Sequence, residues 1–447
     1  MIKEFKLSSA FFKSGCMNQL LKNLFKHKLI QNIFLLYGVQ FSKYLLPLFT
    51  IPYLARVLGA TSLGLLFIAQ AYVVYIGMLV EYGFNIAGTG EVARYKNQPD
   101  KLIDFLAGVM GAEFLLVLCG IGLTFVVQEW IPSFKSHPTI IWAGMFWMLT
   151  QAVSPIWYFA GLERLSFVAL MDMSVRILYS MGVIVFIKSP EDAWKVLGIQ
   201  GVASSLSLVI MLILVYREIP FRFPTKSLIW QALKKGWTMF LFVSADRLYK
   251  TASTFILSIF VSPKIVGYYA GAEKLGQVMP EFLNPMTQAF YPKLSNLAHY
   301  SPLKAAKLAR VGIIITTILG CAIAIAVYVI APLLVGFLLG AEFEASVPVL
   351  RILSLQVPLI AISKLLGIQW MLPLGMDRTF SLVTLTGGIC ILLLAVLLTP
   401  LYAHIGMAWA VVGTELFIAT FMYLVLRWQK LDPFSYAKQL EIENLNK

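Results

Sequence analysis

Residues 311–339 read VGIIITTILGCAIAIAVYVIAPLLVGFLL. No charged side chain interrupts this stretch, and it exceeds the roughly 20 apolar residues that carry an α-helix across a bilayer core. Working outward, similar runs fall at 30–56, 63–86, 102–127, 138–160, 165–187 and 194–216, and again at 235–260, 264–291, 309–339, 346–372, 379–402 and 403–428. The last two separate at Pro400 and the stretch Tyr402–Gly406. The runs are continuous rather than alternating, so they read as helices and not as strands of a β-barrel.

The whole chain agrees with that reading. Its 447 residues are 59% hydrophobic and 13% charged, with a mean hydropathy of +0.80. Soluble domains are nearer 45–50% apolar and about a quarter charged, so a soluble globule and a disordered chain are both excluded. Four cysteines do not make a disulfide scaffold; Cys119, Cys321 and Cys390 lie in apolar runs and are expected as small packing residues. The four histidines, His27, His137, His299 and His404, are too scattered for a metal motif. No metal and no cofactor is expected. The net charge of +14 has no hydrophilic domain that could dock nucleic acid.

That positive charge orients the chain instead. With the N-terminus inside, Lys and Arg favour the inner segments by about four to one. Both termini are therefore expected in the cytoplasm. The first 29 residues hold recurring lysines and no signal-peptide pattern, and read as a basic amphipathic segment on the anionic inner leaflet. The expected organisation is segment 1–29, a six-helix lobe 30–216, a cytoplasmic linker 217–234, a second six-helix lobe 235–428 and a tail 429–447.

The two halves echo one another. LGATSLG at 58–64 joins the first two runs, and VSPKIVG at 261–267 joins runs seven and eight, an offset of 203 residues. Gly161–Arg164 (GLER) is matched by Gly375–Arg378 (GMDR). Six helices per lobe is an even number, so the repeats run parallel about an axis along the membrane normal, with a polar cavity expected between them.

Charges inside the runs mark the chemistry. The cations are Lys43, Arg176, Arg247, Lys250, Lys274 and Lys364; the anions are Glu81, Glu113, Asp172, Asp246, Glu273, Glu281 and Glu415. Each would cost about 2.5–3.5 kcal/mol facing lipid at mid-depth, so they are expected to face protein or water. Asp172–Arg176 and Asp246–Lys250 are i,i+4 pairs that ease insertion or serve ion coupling. Asp246-Arg247-Lys250 leaves a positive surplus. Glu273, Gln277 and Glu281 suggest one polar stripe at i,i+4 spacing. Lys43, Arg247, Lys250 and Lys364 are the candidates for an anion-binding cavity, with interhelical salt bridges as the plain rival. Asp172, Arg176, Asp246, Glu273 and Glu281 are candidates for ion coupling or pairing. Glu81 reads as interfacial; Glu113 and Glu415 read as coupling-ion carboxylates or, the favoured reading, as buried hydrogen-bonded acids. Pro47, Pro52, Pro155, Pro280, Pro285 and Pro358 must disturb their helices, by a static kink or a hinge near Glu281. Trp157, Tyr158 and Trp370 are expected in the interfacial aromatic belt.

Residues 44–59, YLLPLFTIPYLARVLG, resemble the first helix of Wzx-type O-antigen flippases, the polysaccharide exporters of bacteria. EYGFN at 81–85 with EVAR at 91–94, ADR at 245–247, VGYYAGAEKL at 266–275 and FYPKL at 290–294 extend the resemblance over nearly the whole chain after residue 29. The resemblance implies the V-shaped fold of the multidrug/oligosaccharidyl-lipid/polysaccharide exporter superfamily: all-α and polytopic, with 12 transmembrane helices in two six-helix lobes. It implies an undecaprenyl-pyrophosphate-linked oligosaccharide as substrate, moved across the bacterial inner membrane by alternating access. It also implies a membrane-lipid route for the tail, proton or sodium coupling, and association with a polysaccharide polymerase and chain-length regulator. One chain holds both lobes, so a monomer is expected. The chain has no P-loop motif for ATP, and no catalytic residue is assigned. The rivals are a multidrug/cation antiporter of the same superfamily, a lipid II flippase, and a membrane polysaccharide polymerase or ligase. Short outer loops speak against the enzyme.

Overall fold

The computed structural model describes residues 28–435, with side chains from residue 46 onward apart from 48, 242, 245–252, 288, 289 and 299. The expected amphipathic segment and most of the tail lie outside these residues. Everything ordered among the described residues is helical. In the first half, α1 is Lys28–Glu81, α2 Phe84–Tyr95, α3 Pro99–Trp130, α4 Pro138–Ala152, α5 Ile156–Gly161, α6 Leu165–Phe186 and α7 Ala193–Glu218. In the second, α8 is Lys226–Phe260, α9 Pro263–Val278, α10 Asn284–Tyr300, α11 Pro302–Leu338, α12 Ser346–Ser354, α13 Gln356–Lys364 and α14 Asp377–Trp428. Eight helical stretches among the described residues, with bent helices counted undivided, are long and apolar enough to cross a membrane. The protein is a multi-pass membrane protein.

Two of these helices are bent hairpins. α1 turns at Gly59, where φ is 69° and ψ 174°, inside the first of the two repeated turns. α14 turns at Ala403, with φ 49° and ψ −129°, within the break expected at 402–406. The prolines act as their chemistry requires. Pro155 stands in the gap between α4 and α5, and Pro280 in a 3₁₀ turn, Met279–Leu283, between α9 and α10. Pro358 occupies the first turn of α13, where a missing N–H is harmless. α8 reaches back to Lys226, so part of the expected linker is helical.

The buried side chains form a forked core. One cluster, including Leu63, Phe134, Val196, Val266, Leu350 and Met407, is shared by both halves at the end that carries the Gly59 turn. At the opposite end the core divides. One branch, around Phe105, Trp157 and Val215, belongs chiefly to the first half; the other, around Leu294, Trp370 and Leu426, belongs to the second. This division is the physical content of a V-shaped pair of bundles.

The shared end is held by backbone crossing backbone. A β-carbon on Gly64 would lie 1.8 Å from the Pro263 carbonyl oxygen, and one on Gly267 would lie 2.0 Å from that of Ala60. Positions 60 and 263, like 64 and 267, are equivalent under the 203-residue offset of the repeat. The two repeated turns thus face each other across the repeat axis, and only glycine lets α1 and α9 approach so closely. Glu342 adds a polar tie, its Oε1 accepting the Ala60 N–H at 3.2 Å, and the Arg56 guanidinium donates to the Phe337 carbonyl. At the other end the halves also touch, through α8: a β-carbon on Gly83 would lie 2.6 Å from the Phe240 nitrogen, and Lys235 pairs with Glu91.

Three aromatic expectations need correction. Trp157, Tyr158 and Trp370 are not belt residues, being only 2%, 1% and 1% exposed. Each is held inside a branch of the core, where its polar tip finds a partner or its ring packs. The Trp370 Nε1–H donates to the Leu431 carbonyl at 2.8 Å, and the Tyr158 hydroxyl to Glu218 at 3.0 Å. Gly88 lies against the Trp157 ring, with no room for a side chain. Cys119 and Cys321 are exposed on the outer faces of their helices rather than packed inside.

Candidate functional site: a central polar cavity

A cavity of about 570 Å³ opens between the halves, walled by α1, α4, α6 and α7 of the first and by α9 and Glu281 of the second. Such a volume is typical of sites that take a ligand of drug size, about 300–1,000 Å³. Its position follows from the fork: above it the glycine crossing joins the bundles, and below it their cores part.

α6 brings two of the expected charges to the wall. Arg176 Nε donates to Asp172 Oδ2 at 2.9 Å, the i,i+4 pair foreseen from spacing. α9 supplies Lys274, Gln277 and Val278, and Glu281 follows in the 3₁₀ turn. Lys274 Nζ stands 5.7 Å from the centre of the Phe67 ring, a cation–π contact across the cavity wall. No described carboxylate lies within salt-bridge distance of Lys274. Arg176 is paired within the wall, whereas Lys274 makes no salt bridge with a described carboxylate, and Glu281 lines the same cavity.

The expected stripe of Glu273, Gln277 and Glu281 is split. Glu273 turns away from the cavity and accepts hydrogen bonds from Ser253 Oγ at 2.5 Å, Thr254 Oγ1 at 2.7 Å and the Tyr269 hydroxyl at 3.3 Å. It ties α9 to α8. Helical geometry explains the division. At 3.6 residues per turn, eight residues overshoot two turns by about 80°, whereas seven fall about 20° short. Residue 281 therefore aligns with 274 and not with 273. That signal was present in the sequence, and the i,i+4 reading missed it.

Lys364 lies outside the cavity lining. Its Nζ donates to Asn284 Oδ1 at 2.9 Å, and the Asn284 amide donates in turn to Glu281. The chain Lys364–Asn284–Glu281 links α13 to the broken helix at the cavity's edge. Lys364 precedes a π-helical turn, Leu365–Met371, of the kind that often marks functional sites. Lys43 lies in α1, and Asp246, Arg247 and Lys250 in α8, but their side chains fall outside the described residues. Glu113 and Glu415 are buried away from the cavity, at 3% and 9% exposure, and Glu81 is half-buried where α1 ends. Spacing also gave no hint of the uncharged lining: Gln70, Gln151, Gln200, Ser204 and Ser207 reach the cavity from α1, α4 and α7. Among the described residues no group of three or more His, Cys, Asp or Glu could hold a metal ion.

Two helical bundles that share a core at one end, keep separate cores at the other and enclose a cavity between them define the fold of a two-lobed membrane carrier. Comparison with known proteins takes the assignment further. The polysaccharide biosynthesis protein family matches residues 29–298, and the chain belongs to that family. It is 30% identical over 411 residues to a protein of Escherichia coli K12 named "Putative O-antigen transporter", covering 92% of this chain and 99% of that one. A protein of the same name from Shigella dysenteriae is 28% identical over 399 residues, covering 88% and 98%. Among solved structures the fold resembles the lipid II flippase MurJ in its inward closed conformation, with a TM-score of 0.73, 14% identity and 93% of each chain covered. It also resembles an inward-facing MATE-family multidrug resistance transporter, with a TM-score of 0.64, 15% identity and coverage of 88% and 96%.

Proposed function

We propose that this protein is a flippase for undecaprenyl-pyrophosphate-linked repeat units of O-antigen or a related surface polysaccharide. It carries them from the cytoplasmic to the periplasmic leaflet of the bacterial inner membrane. The observation that carries this reading is the cavity between the bundles, where Gln70, Gln151, Gln200, Ser204 and Lys274 stand among apolar side chains, the lysine in no salt bridge with a described carboxylate. A pyrophosphate joined to sugars cannot cross hydrocarbon unaided, and this cavity offers it a polar route with a positive point. The names of the two relatives support the same substrate class.

In this reading the chain makes twelve passes, with both termini cytoplasmic, and the lobes span 30–216 and 235–428. The lobes rock so that the end held by the glycine crossing opens and closes, while the polyprenyl tail stays in lipid. Lys43, Arg247 and Lys250, carried on α1 and α8, are further candidates to bind the pyrophosphate. Lys364 acts through Asn284 on Glu281. A proton or sodium ion couples through Asp246, Glu273 or Glu281, and Asp172–Arg176 serves as a neutralising pair. The protein works as a monomer, performs no covalent chemistry, and delivers its product to a polymerase and its chain-length regulator.

Deleting the gene tests this. Complete lipid-linked units accumulate in the inner leaflet and surface polymer is lost, both restored by the wild-type gene. Single units reaching the outer leaflet without polymerisation would instead show a polymerase or ligase. Unchanged polysaccharide with altered drug tolerance would show the antiporter.

A further inference from the structure

Two opposite charges share one face of the cavity and are kept apart. Lys274 stands on α9 and Glu281 in the turn after it, and both line the cavity. Seven residues of helix rise about 10 Å and leave two side chains about 20° out of line, a gap that an extended lysine and an extended glutamate close together. Yet the two make no salt bridge. Lys274 Nζ rests over the Phe67 ring instead, and the Glu281 carboxylate accepts a hydrogen bond from the Asn284 amide. A carboxylate within reach of the cavity lysine competes with any anionic ligand for it, so what holds Glu281 back matters to binding.

Asn284 opens α10 directly after the break at Pro280, and that helix start carries no side-chain cap. The asparagine reaches between elements instead. Its Oδ1 accepts from Lys364 Nζ at 2.9 Å, while its Nδ2 donates to Glu281 Oε2. An ammonium only donates and a carboxylate only accepts, so a single orientation of the amide serves both. Lys364 thereby fixes which way Asn284 points. A second tie keeps the lysine in place. Gln369, in the π-helical turn after Lys364, donates to the Thr287 carbonyl at 2.6 Å, and Thr287 Oγ1 donates to the Asn284 carbonyl at 2.9 Å. All of these groups belong to the second half of the chain, so the arrangement is made within one bundle.

We infer that Asn284 is a positioning residue that helps hold the Glu281 carboxylate off Lys274, and that Lys364 fixes Asn284 in the orientation that does so. With Glu281 held, Lys274 is presented to the pyrophosphate of the cargo. With Asn284 disengaged, Glu281 swings toward Lys274, pairs with it and competes with the pyrophosphate. This rests on the flippase reading and deepens it: the anion site is kept open by a carboxylate restrained beside it. Lys364 serves that site from outside the cavity lining, through the amide and not by touching the cargo.

The test measures binding of undecaprenyl pyrophosphate to the purified full-length protein in lipid nanodiscs, with undecaprenol as the uncharged control and a melting curve for every variant. Asn284→Ala is expected to weaken binding of the pyrophosphate lipid about 5- to 10-fold, the size of one hydrogen bond to a charged group at a half-buried site. Asn284→Asp keeps the acceptor for Lys364 and loses the donor to Glu281, and is expected to weaken binding at least as much. Lys364→Met, which leaves the amide able to turn over, is expected to act in the same direction. Adding Glu281→Gln to any of the three is expected to restore binding to within about twofold of the parent, a rescue that a merely structural role for Asn284 would not give. In a Lys274→Met background Asn284→Ala is expected to change nothing further. If the Asn284 variants bind as the parent does, or if Glu281→Gln rescues none of them, the positioning role is refuted while the flippase reading stands. If the unmodified protein binds undecaprenyl pyrophosphate no better than undecaprenol, the flippase reading itself falls, and the inference with it.

Discussion

The crossing of α1 and α9 makes a quantitative prediction. Replacing Gly64 with alanine puts a β-carbon 1.8 Å from the Pro263 carbonyl oxygen, where a carbon–oxygen contact is comfortable only beyond about 3.3 Å. The atom it meets is backbone, and a β-carbon has no rotamer, so nothing can rotate aside; the two helices must part by about 1.5 Å. Overpacking of this kind costs about 1–3 kcal/mol, which shifts a two-state equilibrium about 5- to 150-fold. The strain falls on the closed crossing and is relieved when the bundles separate at that end. Gly64→Ala should therefore favour the conformer open at the crossing, the end that the proposed orientation places at the periplasm. The assay places a single cysteine at Gln151, in the cavity lining, in a variant lacking the native cysteines. It measures labelling by a membrane-impermeant maleimide added outside intact cells. Labelling should rise several-fold in Gly64→Ala, and the Gly64→Ala/Gly267→Ala double variant should be less than additive, because both open one contact. Glu342→Gln is a milder companion that weakens the tie to the Ala60 N–H without adding bulk, and it should raise labelling less. Labelling equal to the parent in Gly64→Ala and Glu342→Gln, with protein level and melting temperature unchanged, would refute the crossing as the closure.

Other consequences are simpler to test. Trp370→Ala removes a side chain that is 1% exposed and hydrogen-bonded to the Leu431 carbonyl; it should destabilise the second bundle by about 3–5 kcal/mol, read as a fall in the melting temperature of purified protein, whereas a belt residue would barely matter. Ala403 holds φ at 49°, a region that favours glycine, so Ala403→Gly should stabilise or be neutral, by up to about 1 kcal/mol, in the same measurement. Asp172→Asn unpairs Arg176 beside the cavity; it should leave protein level near normal and strengthen binding of a pyrophosphate-bearing lipid severalfold, as a surface-type pair is worth about 1 kcal/mol.

Much of the fold could be read along the chain. The unbroken apolar runs, the break at Ala403, the kinks at Pro155 and Pro280 and the repeated turns at 58–64 and 261–267 all express local chemistry. A helix must satisfy its own backbone in lipid, and proline or glycine marks where it does not continue. The Asp172–Arg176 pair was legible for the same reason, since four residues on one helix fix the geometry. The alignment of Lys274 with Glu281 was also available, through the seven-residue spacing.

Other features needed the packed molecule. Trp157 and Trp370 look like belt residues in sequence because a tryptophan near a helix end has the same composition whether it faces headgroups or a core. The turn of Glu273 toward Ser253 and Thr254, and the engagement of Lys364 by Asn284, depend on neighbours about 20 and 80 residues distant in the chain. The neutral wall of Gln151 and Gln200 carries no charge to betray it inside an apolar run. By itself the sequence determined that this chain spans the membrane as paired helical repeats, because periodicity and apolar length act within each segment. Which polar groups meet in the cavity, and that Gly64 and Gly267 touch across the repeat axis, only the tertiary structure decided, because those contacts depend on how whole helices cross.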